Sequence, residues 1–592
     1  MTRPLANLQA AVALLEGLIG HGLSDVVLCP GSRSGPLAHA AGGLQRAGLL
    51  RLITAIDERS AAFHALGLAA SSGRASAVIT TSGTAVANLL PAAVEADRSC
   101  LPLLLLSADR PLRLKHCGAN QTVNQEAFLV PVCRWSGSAD LAGLDRMLPV
   151  AIHDLAAQAW REAHHWPGPV HLNLPFEEPL HPSVEEQEHF WSGWSAPTSD
   201  GEAGCLQEPM EAAPWEARFA LDPDRPGLVI AGPWRGRPLL RAAHEQALLA
   251  WQERSGWPVL VDPLAAVPPE LPGQIRAWDV LLPDGLPWPE ELSAADLQVL
   301  RLGPMPASRR LERWLQARNG AQVLVSEGDQ RGLDPLRKAS QWSTGLATWW
   351  KQQQDQCASV PAGAEPAGLG LCRLWQQRDQ QARRSLERLL PQQGAITEPA
   401  LMQALPPLLP TPCTVMLAAS SPVRDWQAFA PAAGPGIRCF SFRGASGIDG
   451  TLSLALGLAR ARGRTLLLTG DIALLHDSNG WLLADADGPP LLVLLIDNGG
   501  GGIFQQLPVP TAPQEALEQL FAMPQAVDPL ALAAAHGHPV RQLACLEDLP
   551  EALAWGWAQA RPALLRVCTD RDGDARLRQE LRRTLQTEDP GG

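Results

Sequence analysis

The chain has 592 residues, of which 46% are hydrophobic and 18% charged, and its formal net charge is −13. A chain of this length predicts three or four domains of about 100–200 residues each, and the acidic balance gives no support to a nucleic-acid partner. No apolar run approaches the ~18 residues of a membrane span. The eleven cysteines are scattered and contain no Cys-x-x-Cys pair, which favours reduced thiols in a cytoplasm over disulfides or a zinc site.

The N-terminal segment MTRPLANLQAAVALLEGL predicts an amphipathic first helix and lacks the cleavage site of a signal peptide. After it, three stretches alternate short β-rich runs with helical segments, which is the pattern of parallel α/β sheets. The strands predicted in the first stretch are residues 26–29, 52–56, 77–80, 103–106 and 170–174. Those of the second are residues 228–231, 259–262, 298–302 and 322–326, and those of the third are 414–417, 465–469, 491–496 and 563–567.

Two polar segments separate these stretches. Residues 181–225 are rich in Pro, Glu, Gly and Ser and predict a linker. Residues 351–391 are rich in Gln and Arg with helical apolar spacing, and they predict an exposed connecting helix. The sequence therefore predicts an α/β protein with three parallel-sheet domains, at residues 1–180, 226–350 and 392–592.

Polar residues follow two successive apolar strands of the third stretch. Gly470-Asp471 ends one strand, and Asp497-Asn498 ends the next. In a parallel sheet both loops lie at the carboxyl edge, where α/β folds bind ligands. Carboxylate and amide oxygens suit Mg²⁺, with diphosphate oxygens completing an octahedron, and glycines 499–502 let the backbone approach the ion. The alternative reading is a structural turn followed by a flexible glycine hinge.

Glu58 ends a predicted strand and opens a helix in the first stretch, between Asp57 and Arg59. Most glutamates at a helix start only complement the helix dipole. Membership of an ion pair is a second ordinary interpretation of Glu58. Because the chain also contains residues that suit Mg²⁺, Glu58 is a candidate catalytic residue as well.

Seven segments resemble the thiamine-diphosphate enzymes, and specifically the 2-succinyl-5-enolpyruvyl-6-hydroxy-3-cyclohexene-1-carboxylate synthase family. In chain order they are CPGSRSGPLAHA, DERSAAFHALGLA, TSGTAVANLLPAAVEA, SADRP, CGANQ, SFRGASGIDG and NGGGGIFQQLP. PGSRS, TSGTAVAN and RGASGIDG are specific to that family, whereas the Gly-Asp…Asp-Asn frame is shared by the whole cofactor class. The central stretch and the two linkers match only loosely.

The resemblance implies a pyrimidine-binding, a central and a diphosphate-binding domain, in that order, and active sites between two chains of a dimer or tetramer. It implies thiamine diphosphate and Mg²⁺, with Mn²⁺ as a substitute. Glu58 then hydrogen-bonds the aminopyrimidine ring and is the catalytic residue, while Asp471, Asn498 and the carbonyl of Gly500 ligate the metal. Ile448 is the bulky residue that props the bent cofactor. The other implied cofactor contacts are Thr81, Ser82, Gly83, Ser420, Gly470, Ile472, Ala473, Ile503 and Phe504.

The implied reaction decarboxylates 2-oxoglutarate and adds the resulting succinyl-semialdehyde carbanion to isochorismate, a step toward menaquinone or phylloquinone. Both substrates are anionic, and arginine pairs carboxylates bidentately. The candidate arginines are Arg33, Arg110, Arg309, Arg310, Arg424 and Arg443, and which of them serves which acid is left open. Ser32, Gln121 and Ser420 add hydrogen-bonding groups, and Ile503, Phe504 and Leu507 are either pocket wall or plain core.

Two departures from the family pattern stand out. The chain has Gly-Asp-Ile and Asp-Asn where many enzymes of the class have Gly-Asp-Gly and Asn-Asn, although the ligand positions are kept. Arg309 replaces an expected lysine, so Arg310 is the preferred candidate of the two.

Two other functions compete with the synthase reading. The nearest is another 2-oxo acid carboligase or decarboxylase, such as an acetolactate synthase, but the arginine-rich motifs suit dicarboxylates and no flavin signature is evident. A non-catalytic scaffold or nucleotide-binding regulator would be expected to lose Glu58 or the metal residues, and all of these are present.

Overall fold

The computed structural model describes residues 2–196, 214–282, 296–356, 365–484, 488, 490–507 and 514–587. Within these residues the chain forms three six-stranded sheets with helices between the strands. The strand pairs are parallel, which confirms the α/β prediction. Among the described helices, none is long and apolar enough to cross a membrane.

The first and third sheets have the same topology. The first holds β1 (Asp25–Leu28), β2 (Arg51–Thr54), β3 (Ser76–Thr80), β4 (Leu103–Asp109), β5 (Trp135–Ser138) and β6 (Pro169–Pro175), in the order β2-β1-β3-β4-β6-β5. The third holds β13 (Cys413–Leu417), β14 (Ile437–Ser441), β15 (Thr465–Gly470), β16 (Leu491–Asp497), β17 (Val540–Leu543) and β18 (Ala563–Cys568), in the order β14-β13-β15-β16-β18-β17. In each sheet the chain order reverses beside the first strand, and such a switch point opens a crevice at the carboxyl edge.

The second sheet is doubly wound in a different order. Its strands are β7 (Gly227–Ala231), β8 (Val259–Val261), β9 (Gln274–Ile275), β10 (Gln298–Leu302), β11 (Gln322–Val325) and β12 (Ser340–Trp342). Their spatial order is β12-β11-β10-β7-β8-β9, which is the 3-2-1-4-5-6 arrangement read from the other edge.

Helices connect the strands of all three sheets. In the first part of the chain they are Arg3–His21, Gly35–Arg46, Glu58–Ser72, Thr84–Ala87, Leu90–Ser99, Pro149–His165 and Val184–Gly193. In the middle they are Arg241–Ser255, Trp278–Leu281, Arg309–Gln316, Leu346–Gln354 and Leu369–Leu389. Toward the end they are Glu398–Leu408, Ser421–Phe429, Thr451–Arg462, Asp471–His476, Gln514–Leu517, Pro529–Ala535, Leu549–Trp557 and Arg571–Thr587.

The chain packs into two compact units. The first combines Met1–Glu208 with Phe442–Thr465 and Ala473–Leu491, and the second combines Pro209–Ser441, Leu466–Ile472 and Leu492–Gly592. In the first unit, helix Glu58–Ser72 packs against helix Thr451–Arg462 at two facing glycines: a Cβ on Gly67 would lie 2.3 Å from the Leu454 carbonyl oxygen. Neither of these helices tolerates a larger side chain at that crossing.

Core residues lie on both faces of the sheets in each unit. In the first unit, Leu8, Leu104 and Val170 are fully buried in one continuous apolar cluster. In the second, one cluster extends from Leu228 of the second sheet to Leu494 of the third. These cores are why strands β4 (LLLLSAD), β7 (GLVIA) and β16 (LLVLLID) each consist mainly of an apolar run.

The sequence located every interior strand, and all thirteen predicted strands are present within three residues at each end. The helix predicted at the N-terminus is also confirmed, as Arg3–His21. The five strands that were missed are β5, β9, β12, β14 and β17. All five lie at or near a sheet edge and lack the apolar run of a strand buried on both faces.

The two segments between the predicted domains are more ordered than expected. The segment predicted as a linker contains helix Val184–Gly193, which begins with a capping box between Ser183 and Glu186; its residues 197–213 lie outside the described part of the chain. The segment predicted as a connecting helix contains helix Leu369–Leu389, which is not simply exposed, because Trp375 on one face is only 1% accessible.

Candidate active site

The switch point of the first sheet brings two predicted loops together. Strands β1 and β3 are neighbours, and the PGSRS and TSG segments follow them. A Cβ placed on Gly31 would lie 2.3 Å from Thr81 Cβ, so the two loops are in contact. Ser32 and Thr81 therefore share the edge where doubly wound sheets bind ligands.

Glu58 is the first residue of its helix. Asp57 caps that helix by accepting hydrogen bonds from the backbone N–H of Arg59 at 2.9 Å and of Ser60 at 3.3 Å. The Glu58 side chain is half-buried, and Asn88 Nδ2 lies 3.4 Å from its Oε2. The local sequence thus fixes the backbone while the Glu58 carboxylate remains accessible to a ligand.

The TSG loop is held by a small polar network that includes four of the predicted site residues. Gln121 Nε2 donates to the Ser82 carbonyl at 2.8 Å, and Arg110 Nη1 donates to the Gln121 carbonyl at 3.0 Å and to Ser82 Oγ. Gly83 has a φ of +86° and donates its N–H to Gln125 Oε1 at 2.9 Å. Partial burial and the neighbouring Arg33 lower the pKa of Arg110, and the carboxylates of Asp109 and Glu178 partly offset this effect.

Arg33 is buried and already bonded within the protein. Only 6% exposed, it donates from Nη1 to the Phe176 carbonyl at 2.8 Å and from Nη2 to Glu178 Oε1 at 2.6 Å. The adjacent Ser32 is exposed, with its Oγ 3.4 Å from His181 Nε2. Arg33 therefore ties the PGSRS loop to the end of strand β6, whatever else it binds.

The RGASGIDG loop belongs to the same compact unit. Its Arg443 is half-buried with Nη1 3.3 Å from Ser446 Oγ, and Ile448 is also half-buried. Glu95, which is 4% exposed, accepts hydrogen bonds from three successive backbone N–H groups of this loop. One buried carboxylate thus sets the backbone of the loop that carries both predicted site residues.

Asp471 follows β15 in the second unit, at the start of helix Asp471–His476. Its Oδ1 accepts the N–H of Ile472 at 2.8 Å, and its Oδ2 accepts the N–H of Gly500 at 2.7 Å. Burial raises the pKa of Asp471 to about 6, and the nearby Asp497 adds to that effect. A cation bound at this carboxylate would favour its ionised form.

Asn498 follows β16, the next strand of the sheet. Its Nδ2 donates to Glu398 Oε1 at 2.7 Å. Its Oδ1 is buried and accepts no hydrogen bond from the residues that the structure describes. A buried amide oxygen of this kind calls for a partner, because leaving it unpaired costs about 1–3 kcal/mol.

The glycine run shapes the loop after Asn498. Gly500 has a φ of +121°, and a Cβ there would lie 2.1 Å from the Ala522 carbonyl oxygen. A Cβ on Gly502 would lie 2.6 Å from Asn498 Nδ2. Only glycine at these two positions leaves room for the loop and for the Asn498 amide.

These residues fit a magnesium ion. They offer a buried carboxylate at Asp471, an unpaired amide oxygen at Asn498 and a backbone carbonyl at Gly500, all hard oxygen donors of the kind Mg²⁺ prefers. No group of three or more His, Cys, Asp or Glu side chains suited to a metal occurs in the described part of the chain. The donor set therefore differs from a zinc or carboxylate-cluster site and leaves coordination positions for ligand oxygens.

The switch point of the third sheet lies between β13 and β15. Ser420 follows β13, with a φ of +71°, and occupies the N-cap position of helix Ser421–Phe429 without a side-chain capping hydrogen bond. Arg424 Nη1 donates to the Ser420 carbonyl at 2.6 Å. Ser420 and Asp471 thus follow neighbouring strands at one crevice, as expected for residues that contact a diphosphate.

The remaining predicted residues of this part of the chain follow β15 or lie beyond the glycine run. Gly470 ends β15, and Ile472 and Ala473 lie in the first turn of the next helix. Ile503, Phe504 and Leu507 are half-buried in and after the short helix Gly502–Gln506. The ring centroids of Phe504 and Phe521 lie 5.3 Å apart. Phe504 therefore contributes to side-chain packing within the protein.

Arg309 and Arg310 begin helix Arg309–Gln316 beside the second sheet. Arg310 Nη1 lies 3.1 Å from Asp279 Oδ2, whereas the Arg309 side chain is exposed. Ser308 Oγ also donates to Asp279, at 2.6 Å. Arg310, which the sequence favoured over Arg309, is therefore the residue seen to pair with a carboxylate of this chain.

Family models match three consecutive parts of the chain. Residues 8–128 match "Thiamine pyrophosphate enzyme, N-terminal TPP binding domain", residues 211–416 match "Middle domain of thiamine pyrophosphate", and residues 430–567 match "Thiamine pyrophosphate enzyme, C-terminal TPP binding domain". The order is the one that the sequence motifs implied.

Curated relatives match nearly the whole chain. A 2-succinyl-5-enolpyruvyl-6-hydroxy-3-cyclohexene-1-carboxylate synthase of Synechococcus sp. (strain CC9311) is 61% identical over 97% of this chain and 99% of its own length. The enzyme of the same name from Synechococcus sp. (strain WH7803) is 62% identical over 97% and 98%, and that of Prochlorococcus marinus (strain NATL1A) is 45% identical over 99% of each. This chain belongs to the 2-succinyl-5-enolpyruvyl-6-hydroxy-3-cyclohexene-1-carboxylate synthase family.

Membership of this synthase family confirms the resemblance and the thiamine-diphosphate cofactor. It also explains why the first and third sheets share one topology: both belong to cofactor-binding domains of the same enzyme class. The individual site residues stay predictions, supported by the contacts described above.

Sequence reasoning missed the residues that hold the predicted synthase site in place. They are Asn88 beside Glu58, Glu95 beneath the RGASGIDG loop, Gln125 beneath Gly83, and Glu398 beside Asn498. Glu95 and Gln125 lie in or near recognised motifs, but a buried role for either has no sequence signature. Glu398 follows Thr397, which caps a helix, and this reads as an ordinary helix start.

Proposed function

We propose that this protein is a thiamine-diphosphate-dependent transferase that decarboxylates 2-oxoglutarate and adds the succinyl-semialdehyde carbanion to isochorismate. The product is 2-succinyl-5-enolpyruvyl-6-hydroxy-3-cyclohexene-1-carboxylate, in menaquinone or phylloquinone biosynthesis. The relatives that cover nearly all of the chain carry the name of this synthase.

The observation that carries the proposal is the oxygen-donor pair at the third sheet. The Asn498 amide oxygen is buried without a partner among the described residues, and Asp471 is a buried carboxylate on the adjacent strand end. With the Gly500 carbonyl they suit Mg²⁺, or Mn²⁺ in its place. Thiamine diphosphate, when bound, supplies an electron sink for the decarboxylation and the carbon–carbon bond formation.

Glu58 is the proposed catalytic residue. Its accessible carboxylate would hydrogen-bond the aminopyrimidine ring of the bound cofactor and hold a proton at Oε1 or Oε2. The capped helix start fixes the backbone from which the carboxylate projects, and Asn88 contributes a hydrogen-bond donor at 3.4 Å.

The arginines are proposed to hold the carboxylates of the two substrates. Arg110 and Arg443 are half-buried in loops, and Arg424 is at the switch point of the third sheet. A guanidinium stays cationic at any working pH and pairs a carboxylate without protonating a carbanion. The remaining proposed substrate contacts are Ser32, Arg33, Gln121, Arg309, Arg310, Ser420, Ile503, Phe504 and Leu507.

Three further features belong to the proposal. The active enzyme is a homodimer or tetramer with its sites between chains. Its domains are residues 1–180, 226–350 and 392–592, with a linker and a connecting helical segment between them. It works in the cytoplasm, in keeping with the nine cysteines of the described residues, all of which are free thiols.

One experiment tests the reaction directly. Purified protein is mixed with thiamine diphosphate, Mg²⁺, 2-oxoglutarate and isochorismate, and the coupled product is sought by mass. Parallel reactions replace 2-oxoglutarate with pyruvate or omit isochorismate, and released CO₂ is measured. CO₂ and product from 2-oxoglutarate support the proposal, whereas turnover of pyruvate alone would assign the protein to the acetolactate-synthase type of chemistry.

A further inference from the structure

We propose that Glu398 is a positioning residue for the metal: it orients and polarises the Asn498 amide so that Oδ1 faces the cation. This inference rests on the proposed function, because it takes Asn498 as a metal ligand. It assigns a role to a residue with no place in the mechanism above.

The first observation is the orientation of the Asn498 amide. An asparagine amide rotated by half a turn would place a donor where the metal needs an oxygen. Here Nδ2 donates to Glu398 Oε1 at 2.7 Å, and Oδ1 is left unpaired. Because a carboxylate only accepts hydrogen bonds, Glu398 selects the orientation that turns the oxygen toward a cation.

The second observation is that Glu398 is itself held rigidly. It is 1% exposed, and its Oε2 accepts a hydrogen bond from Arg578 Nη2 at 2.5 Å. Asp425 also binds Arg578, at 2.8 Å from Nε to Oδ1. The guanidinium thus anchors one oxygen of Glu398, and the other oxygen remains directed at Asn498.

Arg578 supplies the cation that pairs with Glu398 beside the amide. Its guanidinium binds two buried carboxylates, those of Glu398 and Asp425, and a third buried carboxylate, that of Asp574, accepts the backbone N–H of Glu398 at 3.2 Å. A hydrogen bond from an amide N–H to a carboxylate draws electron density toward the amide oxygen. That makes Oδ1 a stronger ligand, as carboxylates behind metal-binding histidines do for those ligands.

Glycine at position 502 completes the arrangement. A Cβ there would lie 2.6 Å from Asn498 Nδ2 and 3.2 Å from Asn498 Cγ. Any larger residue would push the amide away from Glu398. Glycine at position 502 therefore leaves room for the Asn498 amide, the proposed metal ligand, as well as for the backbone of the loop.

The test compares Glu398→Gln with Asp425→Asn. Both variants remove one charge from the group around Arg578, but only Glu398 contacts Asn498. The free Mn²⁺ signal in electron paramagnetic resonance gives metal affinity in the presence of thiamine diphosphate, and thermal unfolding gives stability. We expect Glu398→Gln to weaken Mn²⁺ binding by roughly 10–100-fold and Asp425→Asn to leave it within about threefold of the parent, while both lower the unfolding temperature. Equal losses of affinity in the two variants would reduce Glu398 to a structural residue and overturn the proposal.

Three further variants complete the test. Asn498→Ala should lose Mn²⁺ affinity, and adding Glu398→Gln to it should change that affinity little, because the amide through which Glu398 acts is gone. Glu398→Asp keeps the charge and the pairing with Arg578 but shortens the side chain, so it should fold and show an intermediate affinity. Parent-like affinity in Glu398→Asp and Glu398→Gln would refute the positioning role, whereas parent-like affinity in Asn498→Ala would refute the metal site itself.

Discussion

Glu95 Oε2 accepts the backbone N–H of Ala445 at 2.7 Å, and this bond is the shortest of three between one carboxylate and one loop. Glu95 also receives the N–H of Gly444 at 2.9 Å and of Ser446 at 3.3 Å, and Ser99 Oγ donates to it at 2.6 Å. Three successive N–H groups turned toward one point form a concavity that favours an anion. Here the carboxylate of Glu95, which belongs to the same compact unit, occupies this concavity.

Glu95→Gln should therefore loosen the loop that carries Arg443 and Ile448. An amide offers one acceptor oxygen and turns an NH₂ group toward backbone N–H groups, and hydrogen bonds to a charged group contribute about 1.5–3 kcal/mol. We expect the KM for 2-oxoglutarate to rise by at least about tenfold, with weaker thiamine diphosphate binding by Trp fluorescence. The exposed Glu188→Gln is the control, and unchanged kinetics in Glu95→Gln would show that the loop needs no such support.

Glu58→Gln should abolish turnover while the fold stays intact. A neutral amide cannot take the proton that the carboxylate holds, and general acid–base effects are typically worth about 10²–10⁴-fold. Steady-state kcat and circular dichroism measure the two properties. Asn88→Ala, which removes only the donor at 3.4 Å, should have a much smaller effect. Near-parent turnover in Glu58→Gln would contradict its catalytic assignment.

Much of the architecture could be read from the sequence because buried parallel strands are apolar runs. The loops after β1, β3, β15 and β16 could be located for the same reason, since binding residues follow strand ends in such sheets. The buried hydrogen-bond partners of the binding loops could not be located from the sequence. Glu95 and Ala445 are 350 positions apart, and Glu398 and Asn498 are 100 apart. Such pairs depend on tertiary packing, which has no local pattern.

Asp471→Ala should weaken the binding of Mg²⁺ and thiamine diphosphate together, because Asp471 would hold the ion whose remaining coordination positions suit diphosphate oxygens. The change also removes the acceptor of the Gly500 N–H at 2.7 Å, so the glycine loop loses a constraint. Calorimetric titration of each ligand in the presence of the other is the measurement. A variant that bound the cofactor like the parent would place the metal elsewhere.

The candidate arginines should separate into structural and substrate-binding residues. Arg33→Ala breaks two internal hydrogen bonds of a buried guanidinium, and we expect it to destabilise the fold by about 1–3 kcal/mol. Arg424→Ala and Arg443→Ala should instead lower activity with 2-oxoglutarate by at least roughly tenfold at nearly unchanged thiamine diphosphate affinity. Arg110→Ala should mainly raise the isochorismate requirement. Urea unfolding and separate kinetics for each substrate distinguish these effects, and four parent-like variants would remove the arginines from the site.

His64 should make the protein sensitive to acid. The side chain is 2% exposed, neither ring nitrogen has a hydrogen-bond partner in the described residues, and burial lowers its pKa from 6.5 to about 3. The folded state therefore binds fewer protons than the unfolded state below pH 6.5, so stability is complete above that pH and falls below it. The expected loss is about 1.4 kcal/mol at pH 5.5.

The matching variant is His64→Phe, which removes the titrating group. Urea midpoints at pH 7.5 and 5.5 should differ less in this variant than in the parent, and the exposed His165→Leu should behave like the parent. An equal decline in the parent and His64→Phe would assign the acid sensitivity to other groups.

The division of the chain into compact units has a consequence for dissecting the protein. The backbone passes from one unit to the other five times, after Glu208, Ser441, Thr465, Ile472 and Leu491. No single cut through the chain can release either unit as one continuous polypeptide. A fragment that ends at the apparent limit of the first sheet would lack helix Thr451–Arg462 and expose the helix face that carries Gly67. Fragments that contain a single sheet would therefore be incomplete folding units. Restoring activity from separate fragments would require fragments that contribute segments to both units.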